Sequence, residues 1–478
     1  MYHNCVSQLE IWVTDAATLS FLAERSDRIP TDRGILRNMQ ATPFVPGRVH
    51  GRVNRRDIGG AENILLLSQS ELTSFAISRP AGFIIVEGAF LSHPMIRLLG
   101  LGIPTVIVTV EQAAELLDGA EIILDGARGV ILPFDEDLTS TSEIPPPAPM
   151  AGQPVMTADG IAVELRASVA DSEGVAKAVV QGATAIGLVR SEFIMPVDGT
   201  LPDVDFYQTG FSELCDCAGS LPVTIRLLDI AGDKCPPWMD RQPGMEGPLG
   251  LQGARLYGME PVREVYRAQV RAIGSLIGQY ELRLLLPYII SIHEFMRWRQ
   301  EIEQILPISL PIGTMVETPA AALEMARWFR YADFVSLGCN DLMQCVFAAD
   351  RDHAELKSYL DPYSPVLFCF LGQIAEASGE NIDKVQVCGL LPQVPGVMAV
   401  LLGLGYRAFS IEPIFIPYLA QTIARSTMTE NYKLAAEVCA NTDSESVQRM
   451  LLANNFQFGI GKVNLKSSVD RYDVKLGL

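Results

Sequence analysis

Residues Pro311 to Arg351 read PIGTMVETPAAALEMARWFRYADFVSLGCNDLMQCVFAADR, two successive units of apolar run, carboxylate and helix start. Ile312 to Val316 is a strand-like run that ends at Glu317. Thr318 then supplies a helix N-cap, and Pro319 takes the first helical position, where its missing N–H is not needed. Phe334 to Leu337 is the second run, followed by Gly338, Cys339, Asn340 and Asp341. Either carboxylate alone reads best as a helix cap. Both together, at the carboxyl ends of consecutive parallel strands and followed by Asp350 and Arg351, read as one face of an α/β barrel, where active sites form. Two hard oxygen ligands with few histidines nearby suit Mg²⁺ better than Zn²⁺.

The same alternation extends in both directions. From Ile161 onward the strand-like runs are Val163 to Arg166, Ala185 to Val189, Val223 to Leu228, Leu282 to Leu286, Ile312 to Val316, Phe334 to Leu337, Val385 to Cys388 and Ala408 to Ile411. Amphipathic segments such as Val262 to Ile277 and Ser364 to Glu376 separate several of them. Eight runs in this order predict a (β/α)8 barrel. An open doubly wound sheet is the alternative, and polar residues ending so many strands fit it less well. Arg190 follows the second run, and Arg226, Asp229 and Lys234 lie on and after the third. Taken singly, each arginine reads as a surface ion-pair partner.

Upstream, Ala41 to about Glu136 changes to short β runs with glycine turns, the pattern of a compact sheet domain. Thr139 to Gln153, TSTSEIPPPAPMAGQ, is a semi-rigid linker by composition. Before the sheet domain, strand-like Leu9 to Val13 and helical-looking Ala16 to Glu24 suggest no function. At 478 residues and 49% hydrophobic content the chain has room for two or three cored domains. A net charge of −19 argues against nucleic acid or an anionic membrane as partner. The nine cysteines are scattered apart from Cys215-x-Cys217, which suggests reduced thiols and no zinc site. The sequence after Met1 lacks a signal-peptide pattern, and the apolar run Val397 to Leu404 is too short to span a bilayer. A cytoplasmic protein is expected.

MVETPAAA, LGCNDLMQ and AADR resemble the metal- and phosphate-binding segments of the phosphoenolpyruvate (PEP)-utilising enzymes, and the wording is nearest to enzyme I of the sugar phosphotransferase system. EGAFLSHPMIRLLGLGIPTVIV resembles that family's phosphohistidine segment, with Gly88-Ala89 at its glycine pair and Ser92-His93 at its Ser-His. Phe90, Leu91 and Pro94 depart from the residues usual there. The resemblance implies a swivelling phosphohistidine β/α domain followed by the barrel. It makes His93 the phosphoryl acceptor and Glu317 and Asp341 the Mg²⁺ ligands. It also makes Arg190, Arg226, Asn340 and Arg351 contacts of the substrate phosphate, for which an arginine fork pairs two oxygens at once, and Lys234 a substrate-binding residue. Cys388, ahead of Gly389, takes the place of the residue that protonates the enolate carbon, a role the matching cysteine–glycine pair and its place in the strand order favour over a buried structural cysteine. EGPLGLQGARLY places Gln252 where the family has a substrate-binding arginine, with Arg255 further along.

The expected division is residues 1–40 of no assigned role, a phosphohistidine domain over 41–138, a linker over 139–153, a barrel over 154–428 and C-terminal helices and tail over 429–478. Val53 to Asn63 leaves no room for the carrier-binding helical bundle of enzyme I, and nothing resembles an ATP-grasp domain. By resemblance, the expected activity is Mg²⁺-dependent transfer of the PEP phosphoryl group to His93 with release of pyruvate. An acceptor protein or small molecule would take it onward, and the barrel would form a homodimer. Two rivals stay open: enolate chemistry on PEP or a 2-oxo acid without phosphohistidine, and a non-catalytic PEP or pyruvate sensor.

Overall fold

In the computed structural model, the described residues are 38–56, 60–73, 79–90, 92–134, 152–196, 198–232 and 234–453. The strand-like and helical readings before residue 38, most of the proposed linker and the tail beyond 453 lie outside them.

The first domain is one sheet built from β1 (Met39–Gln40), β2 (Thr42–Val45), β3 (Arg48–Asn54), β4 (Asn63–Ser68), β5 (Gly82–Val86), β6 (Thr105–Val108), β7 (Glu121–Asp125) and β8 (Val130–Pro133). Their spatial order is β1-β8-β7-β3-β4-β5-β6-β2. The centre, β3 to β6, is parallel, and antiparallel strands close both edges. Central strands of this kind are covered on both faces, which explains runs such as NILLL and GFIIV. Alternate side chains divide cleanly: Ile64, Leu66 and Ile84 join one apolar cluster, while Leu65, Leu67, Phe83 and Ile85 join the other. The second face is covered by Met95, Leu98 and Leu99 of the helix His93–Leu101, and its cluster continues into the second domain.

That domain is a closed barrel of eight parallel strands: β10 (Ala162–Val169), β11 (Ile186–Arg190), β12 (Val223–Arg226), β13 (Leu282–Leu286), β14 (Ile312–Val316), β15 (Val335–Gly338), β16 (Val385–Cys388) and β17 (Ala408–Ile411). β10 pairs with both β17 and β11, which closes the ring. The short β9 (Val155–Met156) adds to β10 in the antiparallel sense. The open doubly wound alternative is thereby excluded. Helices cap as their sequences dictate: Thr318 accepts from the Ala321 amide with Pro319 in the first turn. Beyond the barrel, the expected C-terminal helices are Met428–Cys439 and Ser444–Ala453, with Ala440 to Asp443 between. Among the described residues no helix is long and apolar enough to cross a membrane.

Candidate active site

The carboxyl ends of the barrel strands converge on one cavity. Its lining includes Arg190 from the end of β11, Arg226 from the end of β12, and Asp229 and Lys234 just beyond it. Glu317 follows β14, Gly338 ends β15, Asn340 and Asp341 open the next helix, and Cys388 and Gly389 close β16. Arg351 completes the set. Each residue directly after a parallel strand faces the same mouth, so side chains far apart in sequence become neighbours.

Two close approaches fix this geometry. Gly338 abuts Glu317: a Cβ there would stand 2.4 Å from Glu317 Cγ and 2.6 Å from Oε1. Gly389 adopts φ +89° beside Asn340, whose Oδ1 accepts from the Leu390 amide at 2.9 Å. Only glycine holds that backbone without strain while leaving space for the asparagine.

The cations are all engaged. Arg226 pairs with Glu192, and with Asp229 at 2.9 Å. Lys234 Nζ lies 2.5 Å from Asp229, Arg190 lies 2.8 Å from Glu412, and Arg351 lies 3.4 Å from Asp341. Burial opposes charge on Lys234, yet Asp229 and Glu192 outweigh it and raise its pKa. Four cations thus meet five carboxylates, Glu317 included, and the site carries no net positive charge. Glu317 accepts from the Tyr288 amide at 2.8 Å. Burial, then the nearby Asp341 and Asp229 carboxylates, pushes it up to about 8, against the opposing pull of Arg226.

Glu317 and Asp341 form a fitting pair for a divalent cation. Both offer hard oxygens, and a cation between them relieves the like-charge repulsion that raises Glu317. Among the described residues no three His, Cys, Asp or Glu side chains converge as a full ligand set. Mg²⁺ is commonly held by one or two carboxylates, with the other positions left to substrate and water. Cys388 is buried, and its thiol is pushed up to about 12, chiefly by that burial. It stays protonated at neutral pH.

Gln252 falls outside the lining. It is buried, and its Nε2 donates to the Pro248 carbonyl at 2.6 Å. Arg255 does not replace it in the cavity: it donates to the Gly250 carbonyl at 3.1 Å and lies 4.8 Å over the Tyr288 ring. His93 is the first residue of the helix His93–Leu101, and Ile96, one turn later, lines the cavity from the first domain. The helix carrying the histidine therefore sits at the barrel mouth. Two of the departures around it have structural explanations. Pro94 lies in the first helical turn, where no N–H is required, and Phe90 makes an edge-to-face contact with Phe44 at 5.1 Å.

Sequence reading missed Glu192 and Glu412, which hold Arg226 and Arg190. A signal for Glu412 existed, since it directly follows the run Ala408 to Ile411, as Glu317 follows Ile312 to Val316. Glu192 lies in a turn, Ser191–Phe193, with nothing in its surroundings to separate it from a surface acid.

Comparison with known proteins agrees with this geometry. A family described as PEP-utilising enzyme, PEP-binding domain, matches residues 148–428, and one described as PEP-utilising enzyme, mobile domain, matches residues 66–129. A phosphoenolpyruvate-protein phosphotransferase of Haloferax volcanii is 30% identical over 405 residues, covering 81% of this chain and 71% of that protein. A multiphosphoryl transfer protein of Xanthomonas campestris is 30% identical over 400 residues, 80% of this chain and 47% of that protein. A phosphoenolpyruvate-protein phosphotransferase of Geobacillus stearothermophilus is 30% identical over 351 residues, 69% of this chain and 60% of that protein. The chain thus spans between about half and seven-tenths of these relatives. With a barrel whose strand ends gather the acids, arginines and cysteine described above, the chain belongs to the PEP-utilising enzymes.

Proposed function

We propose that this protein moves the phosphoryl group of PEP onto His93 with release of pyruvate, and then passes it to an acceptor. The observation that carries the reading is the placement of the His93 helix at the mouth of a cavity lined by Arg190, Arg226, Lys234, Arg351, Glu317, Asp341 and Cys388. Phosphoryl transfer is mainly positioning and charge stabilisation, and these residues supply both. Mg²⁺ held by Glu317 and Asp341 would neutralise substrate charge that the fully paired cations cannot. Arg190, Arg226, Asn340 and Arg351 would hold the phosphate, and Cys388 would give its proton to the enolate carbon. The relatives named as PEP-protein phosphotransferases support a protein acceptor; a small molecule is the other possibility. The reading includes cytoplasmic residence and a homodimer through the barrel, to be checked by sedimentation at the mass of two chains.

Incubation with Mg²⁺, PEP and isotope-labelled pyruvate tests the activity, because reversible formation of phosphorylated protein moves label from pyruvate into PEP. Label should enter PEP only when Mg²⁺ is present. A second reading follows from Gln252, which brings no charge to the cavity: enolate chemistry on a less highly charged 2-oxo acid. Exchange of pyruvate methyl protons with solvent, with no label entering PEP, would favour it.

A further inference from the structure

In the helical layer outside the barrel strands, two cysteines from distant parts of the chain meet. Cys369 lies near the start of the helix Pro365–Ser378, between β15 and β16, and Cys439 ends the helix Met428–Cys439. The two helices pack against each other. Cys369 Sγ donates to the Cys439 carbonyl at 3.3 Å, across 70 residues of sequence. The Cys439 thiol is also within hydrogen-bonding reach of the Cys369 thiol. Both thiols are free and partly exposed, whereas Cys215, Cys339 and Cys388 are buried. A dissolved oxidant therefore has access to this pair.

A cap is the plainer role for Cys369. The last carbonyls of a helix have no partner within it, and the Cys369 thiol supplies one to Cys439. That role needs a single hydroxyl or thiol and leaves the second sulfur unexplained. What the pair joins gives that sulfur a purpose. The chain between the two cysteines includes β16, the helix Val397–Gly403 and β17. The helix Ser444–Ala453, just past Cys439, abuts the segment that follows β16: a Cβ on Gly396, at φ +82°, would stand 2.7 Å from Leu451 Cβ. Gln393 of that segment donates to the carbonyl of Gly389, a residue of the cavity wall, at 3.2 Å. The C-terminal helices thus buttress the loop that leads from β16 past the cavity.

We propose that Cys369 and Cys439 are a reversible modification site, where hydrogen peroxide forms a disulfide that fastens the C-terminal helices to the barrel. Burial, and then the adjacent Cys369, pushes the Cys439 thiol up to about 12, so Cys439 keeps its proton and Cys369 attacks the oxidant. The Cys369 thiolate forms an S–O bond with the peroxide as the O–O bond breaks. The hydroxide released takes up the proton that Cys369 gave to solvent, and Cys369 becomes a sulfenic acid. Cys439 Sγ then attacks Cys369 Sγ. The S–S bond forms, the S–O bond breaks, and the departing hydroxyl leaves with the Cys439 proton as a second water. Two thiols have lost two electrons, and one peroxide has been reduced. A dithiol reductant reverses the change by thiol–disulfide exchange. Tying residues 70 apart restrains the unfolded chain, which is how a disulfide stabilises in the chain-entropy account.

The test treats the full chain with hydrogen peroxide, blocks the remaining thiols and digests the protein without reductant. Mass spectrometry should show the Cys369 peptide joined to the Cys439 peptide, and dithiothreitol should separate them. Amide hydrogen exchange across Met428–Cys439 should slow by about tenfold or more on linkage. It should return to the starting rate with dithiothreitol. It should stay unslowed in peroxide-treated Cys369→Ser, which keeps a group able to cap the helix. Both thiols still free in excess peroxide, oxygen added to either sulfur without linkage, or either sulfur joined to another cysteine would overturn the pair. Linkage of the two with unslowed exchange would overturn the fastening.

Discussion

Glu317 is buried against Asp341 and Asp229, and without a cation it holds a proton into the neutral range. Its folded-state pKa of about 8 lies above the ordinary value of 4.5. The proton-bound form therefore supports the fold fully below the ordinary value, and that support is lost as pH rises through about 8. Glu317→Gln removes the titration while keeping the shape. Its thermal stability relative to the native chain should be near unchanged at pH 5 and higher at pH 9, on the order of a few kcal/mol at most. Added Mg²⁺ should narrow the gap at pH 9 by stabilising only the native chain. Equal pH dependence of the two melting curves would show that Glu317 is not the strained acid. At this scale the sequence was readable where a residue follows a strand, as with Glu317 and Arg190. It was silent where pairing is remote: Arg190 and Glu412 lie 222 residues apart, and no local pattern connects them.

At the scale of elements, strand limits agree best where an apolar run meets residues of another kind. Ile312–Val316, Val385–Cys388 and Ala408–Ile411 are the same in sequence and structure. β15 begins one residue later than read and takes in Gly338, since a glycine does not read as strand although its backbone continues the ladder to Cys388. That glycine gives the element-scale prediction. Gly338→Ala places a methyl where Glu317 must lie, so the carboxylate has to move while the backbone, at φ −82°, stays comfortable. Mg²⁺ affinity measured by calorimetry should fall about tenfold or more, and the far-ultraviolet circular dichroism should be retained. Unchanged Mg²⁺ affinity would remove Glu317 from the ligand set. Gln386 is the opposite case: a polar residue inside the run VQVC, readable as an irregularity, whose partners on β10, β11 and β15 only the closed barrel supplies.

At the scale of the molecule, two domains meet at the barrel mouth. The order of sheet domain and barrel was legible because short β runs with glycine turns give way to a regular alternation of strand-like and helical runs. Their docking was not, because Ile96 is an ordinary helix residue until the fold brings it to the cavity. The apolar cluster crosses this junction, whereas the ion pair Arg79–Glu173, at 3.7 Å, is exposed and contributes little. Docking should therefore be insensitive to salt. A fragment beginning at Gly152 should fold and bind Mg²⁺ and pyruvate, because the barrel closes on itself and contributes all the polar groups of the site. It should yield no phosphorylated protein. An insoluble fragment would show that the crossing cluster is a shared core and not a docking surface.

His93 is the residue on which the proposed transfer depends. Incubating the full chain with Mg²⁺ and PEP labelled in the phosphoryl group, then locating the label, tests it most directly. One acid-labile, base-stable phosphate per chain on His93 is expected, with pyruvate released in equal amount and no label in His93→Ala, which should still bind PEP. Label that persists in His93→Ala, or native chain that binds PEP and stays unlabelled, would contradict it.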